Sequence, residues 1–176
     1  MIFNCPYIYL FHALSGLSLG KLKAGLGGFA WAKAAAAGAS VAATLLQDYA
    51  GGDIPQPDRK RCFIWGGETT VTLGASSNGL GGRCQELALA AARALAGAPP
   101  GVALLAAGTD GRDGPTDAAG AIVDGRTWAA VKAAGRDPAR DLAAHDAYRA
   151  LDAAGVLLRP GLTGTNVMDV VIGVGR

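Results

Sequence analysis

The stretch RCQELALAAARALAG, residues 83–97, constrains the fold of this chain more than any other. It is made mostly of strong helix formers. Leu87, Ala91 and Leu95 recur at i, i+4 and i+8, on one face. The glycine-rich turn GASSNGLGG (74–82) precedes it, and Gly97 with Pro99-Pro100 ends it. The spacing predicts a helix over 83–97 with its apolar face on a core. The flanking apolar runs CFIW (62–65) and VALLAAG (102–108) are too short for helices and read as buried strands. A helix bracketed by buried strands is the unit of an α/β domain.

The rest of the chain continues that alternation. FAWAKAAAA (29–37) reads as a helix stopped by Gly38, and ASVAATLL (39–46) fits a short strand or a second helix. GGDIPQPDRKR (51–61) is a loop, because Pro55 and Pro57 exclude regular pairing. TTVTL (69–73) reads as a strand from its β-branching. AAGAIVDG (118–125) is a further apolar stretch, TWAAVKAAG (127–135) a helix, and 137–155 one or two helices. VLLRPG is a strand and turn, and TGTNVMDVVIGVG a loop feeding a final strand. The expected fold class is α/β, a layered α/β/α arrangement with a mixed sheet.

Composition narrows the function. The 176 residues are 51% hydrophobic, enough for one domain with a real core. Net charge is +2 and the 16 basic residues are scattered, so no patch tracks a nucleic-acid backbone. Aromatics at 6% offer no base-stacking platform. Three cysteines at wide spacing, Cys5, Cys62 and Cys84, form neither a disulfide framework nor a zinc pattern, and read as reduced thiols of a cytoplasmic protein. The opening MIFNCPYIYLFHALSGLSLG is apolar but carries Asn4, Pro6 and His12. It has neither the basic start of a secretory signal nor the clean length of a membrane span. Residues 1–28 therefore read as a poorly specified lead-in, and 29–176 as the domain.

Four loops at element ends are candidate sites, as is usual in α/β sheets. GGETT holds Gly66, Gly67, Glu68 and Thr69. GLGGR (79–83) opens the strongest helix. Its glycines let backbone approach a ligand, a helix start suits an anion, and Arg83 adds a planar fork of donors. An ordinary glycine turn with a surface arginine fits the same residues. It is no Walker A loop and no dinucleotide fingerprint. GTDGRDGPTDAAG (108–120) carries Asp110, Asp113 and Asp117, which fit turn chemistry, a Mg²⁺ ion shared with substrate phosphates, or a group orienting a hydroxyl. TGTN (163–166) precedes the last strand. His145, in a helical stretch with no second histidine at ligand spacing, reads as a structural or surface residue rather than a base.

Five segments in order, GGETTVTL, GLGGRCQELALAAA, LLAAGTDGRDGPTDAAGAIVDG, HDAYRALDAAGVLL and GLTGTNVMDV, resemble the C-terminal MOFRL domain of the type-2 glycerate kinases. The match is best over 62–176 and looser over 29–50. The resemblance implies a domain that helps transfer phosphate from ATP, with Mg²⁺, to the 2-hydroxyl of D-glycerate, in a cleft against an N-terminal Rossmann-like domain missing from this chain. It implies catalytic roles for Arg83 and Asp110. It places Gly66, Gly67, Glu68, Thr69, Gly81, Gly82, Gln85, Asp113, Thr163, Gly164, Thr165 and Asn166 about substrate or nucleotide, and Asp110 and Asp117 about the metal. Cys84 departs from the family, which has asparagine there. Some members are described as hydroxypyruvate reductases, but no nicotinamide fingerprint is visible here. The other alternative is a remnant that folds and at most binds an anion. The implied partners are small molecules, with no nucleic acid and no membrane; a homo-oligomer is allowed.

Overall fold

The structure, a computed structural model, describes residues 33–50, 61–74 and 78–175. The lead-in expected at 1–28, the start of the helix expected at 29–37 and nearly all of the 51–61 loop lie outside the described residues. The elements in chain order are α1 (Ala34–Ala50), β1 (Arg61–Gly67), α2 (Arg83–Ala94), β2 (Ala103–Gly108), β3 (Gly120–Asp124), α3 (Thr127–Ala133), α4 (Pro138–Ala143), α5 (Ala147–Ala153), β4 (Leu157–Leu158) and β5 (Asp169–Gly175). Among the described residues no helix is long and apolar enough to cross a membrane.

α2 is the centre of the molecule. Every residue from Cys84 to Ala92 is buried, so the single apolar face expected from the sequence is only part of the buried surface. One side of α2 lies on β2 and β3, and the others meet α1 and α5. A helix covered all round needs small residues where neighbours come closest, and here those are alanines. Burial of Leu87, Leu89 and Leu95 then contributes about 1.5–3 kcal/mol each. The helix stops at Ala94, with Gly97 at φ +79° beyond it.

The expectation that Gly38 stops a helix is corrected. α1 runs straight through it to Ala50, and 39–46 is helical. Gly38 is present because α1 and α2 touch there: a Cβ at this position would collide with the Leu87 carbonyl. The strand expected at 69–73 is also absent. After Gly67 the chain leaves the sheet, and Thr70 makes only an isolated bridge to Lys33, its carbonyl accepting from the Ala34 N–H at 2.9 Å. β-Branching favours a strand only where a partner edge exists.

The sheet order is β1-β5-β2-β3-β4, and every neighbouring pair is antiparallel. The α/β class holds, but the sheet is not mixed. β1 and β2 do run parallel, joined through α2, but β5 is inserted between them and pairs with both. The described helices form one layer. Their buried side chains pack with Trp65, Leu104, Ala106, Ala121, Val123, Leu157 and Val171 on one sheet face. The opposite face carries Leu105, Ala107 and Ile122 with Leu158, Val170 and Ile172, and no described helix packs into that cluster.

Candidate functional site

Three of the four loops meet at one end of the sheet because of strand register. β1 ends at Gly67, β2 ends at Gly108, and both residues pair with Asp169, the first residue of β5. GGETT, the aspartate loop and the segment after TGTN therefore leave the sheet side by side. The fourth loop arrives through the start of α2. Arg83 Nε donates to Asp169 Oδ2 at 2.6 Å and Nη2 donates to Oδ1 at 2.9 Å. Nη2 also lies 3.4 Å from Glu68 Oε1.

This bidentate pair sets the electrostatics of the site. Asp169 is buried, while the Arg83 side chain is 37% exposed. The hydrogen bond to Asp169 holds the guanidinium above its ordinary, already high, pKa. One edge of the fork is spent on Asp169. Nη1 makes no hydrogen bond to a described residue, so the remaining edge keeps donors for a planar or tetrahedral anion.

The aspartate loop and TGTN are stitched together through Thr109. Its Oγ1 donates to the Met168 carbonyl at 2.7 Å and accepts from the Val167 N–H at 2.8 Å. Thr163 Oγ1 donates to the Thr109 carbonyl at 2.6 Å, and its N–H to the Asp110 carbonyl at 3.1 Å. Gly111, at φ +90°, lies so close to the Gly161 carbonyl that a side chain would collide with it. Thr163, Gly164, Thr165 and Asn166 are exposed, as are Leu162, Val167 and Met168 on the same loop.

The start of α2 differs from the expectation of free N–H groups. Asp113, 4% exposed, accepts from the Gln85 N–H at 2.8 Å. Its carboxyl lies where a Cβ on Gly82 would be, so the N-cap must be glycine. The helix N-terminus is thus filled by the protein's own acid, and Asp113 is a cap. Burial pushes its pKa up to about 6, against the lowering effect of the Gln85 and Cys84 N–H groups. Gln85 Nε2 donates to Thr116 Oγ1 at 2.7 Å, tying the aspartate loop beneath the helix. Gln85 Oε1 and Thr69 Oγ1 are buried with no hydrogen-bond partner among the described residues. Burial raises the Cys84 thiol well above its usual range.

The three aspartates have separate settings. Asp110 Oδ1 accepts from the Arg112 N–H at 3.0 Å within its own turn. Asp117 accepts from Tyr148 Oη at 2.7 Å and pairs with Arg159 at 3.1 Å. Tyr148 and then Arg159 hold its carboxyl below the usual range. No group of three His, Cys, Asp or Glu suited to a metal exists among the described residues, so a Mg²⁺ ion held by Asp110 or Asp117 would need ligands from substrate phosphates or from outside these residues.

A family model described as the MOFRL family matches residues 61–169. The chain belongs to the MOFRL family. This MOFRL chain is 57% identical over 112 residues to the D-glycerate 2-kinase of Thermotoga maritima, covering 64% of itself and 26% of that protein. It is 46% identical over 112 residues to the glycerate 2-kinase of Pyrococcus horikoshii, covering 64% and 25%. The crystal structure of a glycerate kinase from T. maritima superposes with a TM-score of 0.81 at 41% identity, over 98% of this chain and 39% of that one. The MOFRL chain thus spans about a quarter of the length of these curated relatives. Within the MOFRL fold, sequence reasoning missed Asp169, although a lone acid heading the apolar run DVVIGVG was visible. It also missed Asp146, whose neighbours in sequence give no sign of its distant contact. His145 Nδ1 lies 2.8 Å from Glu86 Oε2, in the first turn of α2.

Proposed function

We propose that this chain is the C-terminal part of a glycerate 2-kinase, acting in the cytoplasm to help transfer phosphate from ATP to the 2-hydroxyl of D-glycerate. The observation that carries the reading is Arg83 held on Asp169 where four loops converge, with an edge of its fork unspent. The names of the relatives support it. Phosphoryl transfer needs positioning and charge stabilisation more than covalent help from the protein. Arg83 takes the charge that develops on the transferring group, and Asp110 orients the hydroxyl. Gly66, Gly67, Glu68 and Thr69, Gly81 and Gly82, and Thr163 to Asn166 line the substrate and nucleotide. Gln85 and Asp113 keep that wall in shape. The rest of the site comes from the part of the relatives' length that this chain does not span.

The test is a fusion of residues 29–176, which keep α1 against α2, behind the N-terminal part of the T. maritima relative, assayed for ATP-dependent phosphorylation of D-glycerate. The fusion is expected to be active and the 176-residue chain alone inactive. Asp110→Asn and Arg83→Ala are expected to abolish turnover while the fusion stays folded. An active Asp110→Asn fusion would return the aspartate loop to plain turn chemistry, and activity of the isolated chain would mean the catalytic groups lie elsewhere.

A further inference from the structure

The turn between α4 and α5 grips the glycine loop ahead of α2. Asp146, buried at the start of α5, accepts from the Leu80 N–H on Oδ1 at 2.9 Å. Two residues on, the Tyr148 N–H donates to the Leu80 carbonyl at 2.9 Å. Both backbone groups of Leu80 are therefore spent on one turn. The approach is close: a Cβ on Gly79 would collide with the Ala144 and His145 carbonyls. His145 adopts φ +56°, a left-handed conformation unusual outside glycine, and its ring reaches Glu86 in the first turn of α2.

Asp146 is itself fixed from the other side. Arg136 Nη2 donates to its Oδ2 at 2.8 Å, and Arg149 Nη1 donates to Oδ1 at 2.6 Å. Arg136 is held in turn by a fork onto Asp141 at 2.7 and 2.8 Å. A buried carboxylate with two arginines is an expensive way to satisfy one loop N–H. The two glycines beyond Leu80 give the arrangement a use. Gly81 and Gly82 have the freest backbones of any residues, and holding each in one conformation costs about 1–2 kcal/mol. Their conformation decides where α2 begins and in which direction Arg83 leaves it.

We propose that Asp146 is a positioning residue for the candidate site: by pinning Leu80 it fixes the Gly81–Gly82 backbone and so aims Arg83. The inference rests on the reading of Arg83 as an anion clamp. The loop is held at two points, Leu80 by Asp146 and Gln85 by Asp113, and the glycines span the gap between them.

The experiment uses the 176-residue chain, with backbone amide exchange read by mass spectrometry and inorganic tripolyphosphate binding read by calorimetry. Asp146→Ala is expected to speed exchange at residues 80–83 and weaken tripolyphosphate binding, each about tenfold or more, with β2 amides unchanged. Asp146→Asn keeps an oxygen facing the Leu80 N–H and is expected to restore both to within about threefold of the parent chain. A folded Asp146→Ala chain with parental exchange and affinity would overturn the proposal. So would an Asp146→Asn chain with unprotected residues 80–83, a result that decides the matter even if Asp146→Ala does not fold. If the parent chain ignores tripolyphosphate, the clamp reading of Arg83 fails, and exchange at 80–83 still judges the role of Asp146.

Discussion

Arg83 and Asp169 lie 86 positions apart in sequence, yet the first residue of α2 and the first residue of β5 are joined by two parallel hydrogen bonds of 2.6 and 2.9 Å. The pair locks the central helix to an interior strand of the sheet at the end where the loops gather. It also divides the guanidinium, with one edge spent on Asp169 and Nη1 making no hydrogen bond to a described residue.

That division makes Arg83→Ala more than a surface change. It strands a buried carboxylate, which costs about 1–3 kcal/mol. Urea unfolding should show that loss, and the double variant Arg83→Ala/Asp169→Asn should recover part of it. Arg83→Lys keeps the charge but not the fork, so in the fused enzyme turnover should fall by about a hundredfold.

Asp113 gives stability a pH dependence of unusual sign. Its folded pKa, about 6, lies above the ordinary carboxyl value of 3.8, so the folded state holds the proton longer than the unfolded state. Stability should therefore decline as pH rises from about 4 to about 6 and be flat in this respect above that. The penalty is on the order of 3 kcal/mol. Urea midpoints measured from pH 4 to pH 7 should show this decline in the parent chain and not in Asp113→Asn.

Cys62 and Cys84 are both buried, and burial raises both thiols. The thiolate is the reactive form. Iodoacetamide at pH 8 should leave both unlabelled in the folded protein and label both in urea, as read by peptide mass spectrometry.

Gly38→Ala sets two effects against each other. Alanine favours a helix interior by about 1 kcal/mol. Its methyl would have to displace the Leu87 carbonyl, a backbone group that cannot swing aside. Overpacking of this kind costs about 1–3 kcal/mol, so net destabilisation is expected in thermal unfolding.

Much of the fold is readable in the sequence. β1, α2, β2, α3 and β5 announce themselves as apolar runs bounded by glycine or proline, because burial and chain reversal are local demands. The errors arise where a distant segment decides. Gly38 looks like a stop until Leu87 is seen against it. TTVTL looks like a strand until it proves to have no edge to join. The sheet looks mixed because β1, α2 and β2 form a crossover, and nothing local says that β5 will fill the gap. Arg83 and the loops are legible as glycine-rich element ends. Asp169, Asp113 as a cap, and Asp146 are not, since each acts on a residue far away in sequence.

The insertion of β5 between β1 and β2 also orders events in time. It is the last described strand to leave the ribosome, yet it occupies the interior of the sheet and pairs with two strands made earlier. Until residues 169–175 emerge, β1 has no neighbour and Arg83 has no carboxylate to grip. Pairings this distant close slowly, and the open slot between two apolar strands is meanwhile exposed to other chains. The same slot explains what a stop codon before Asp169 would do: it would remove the seam that joins the two halves of the sheet.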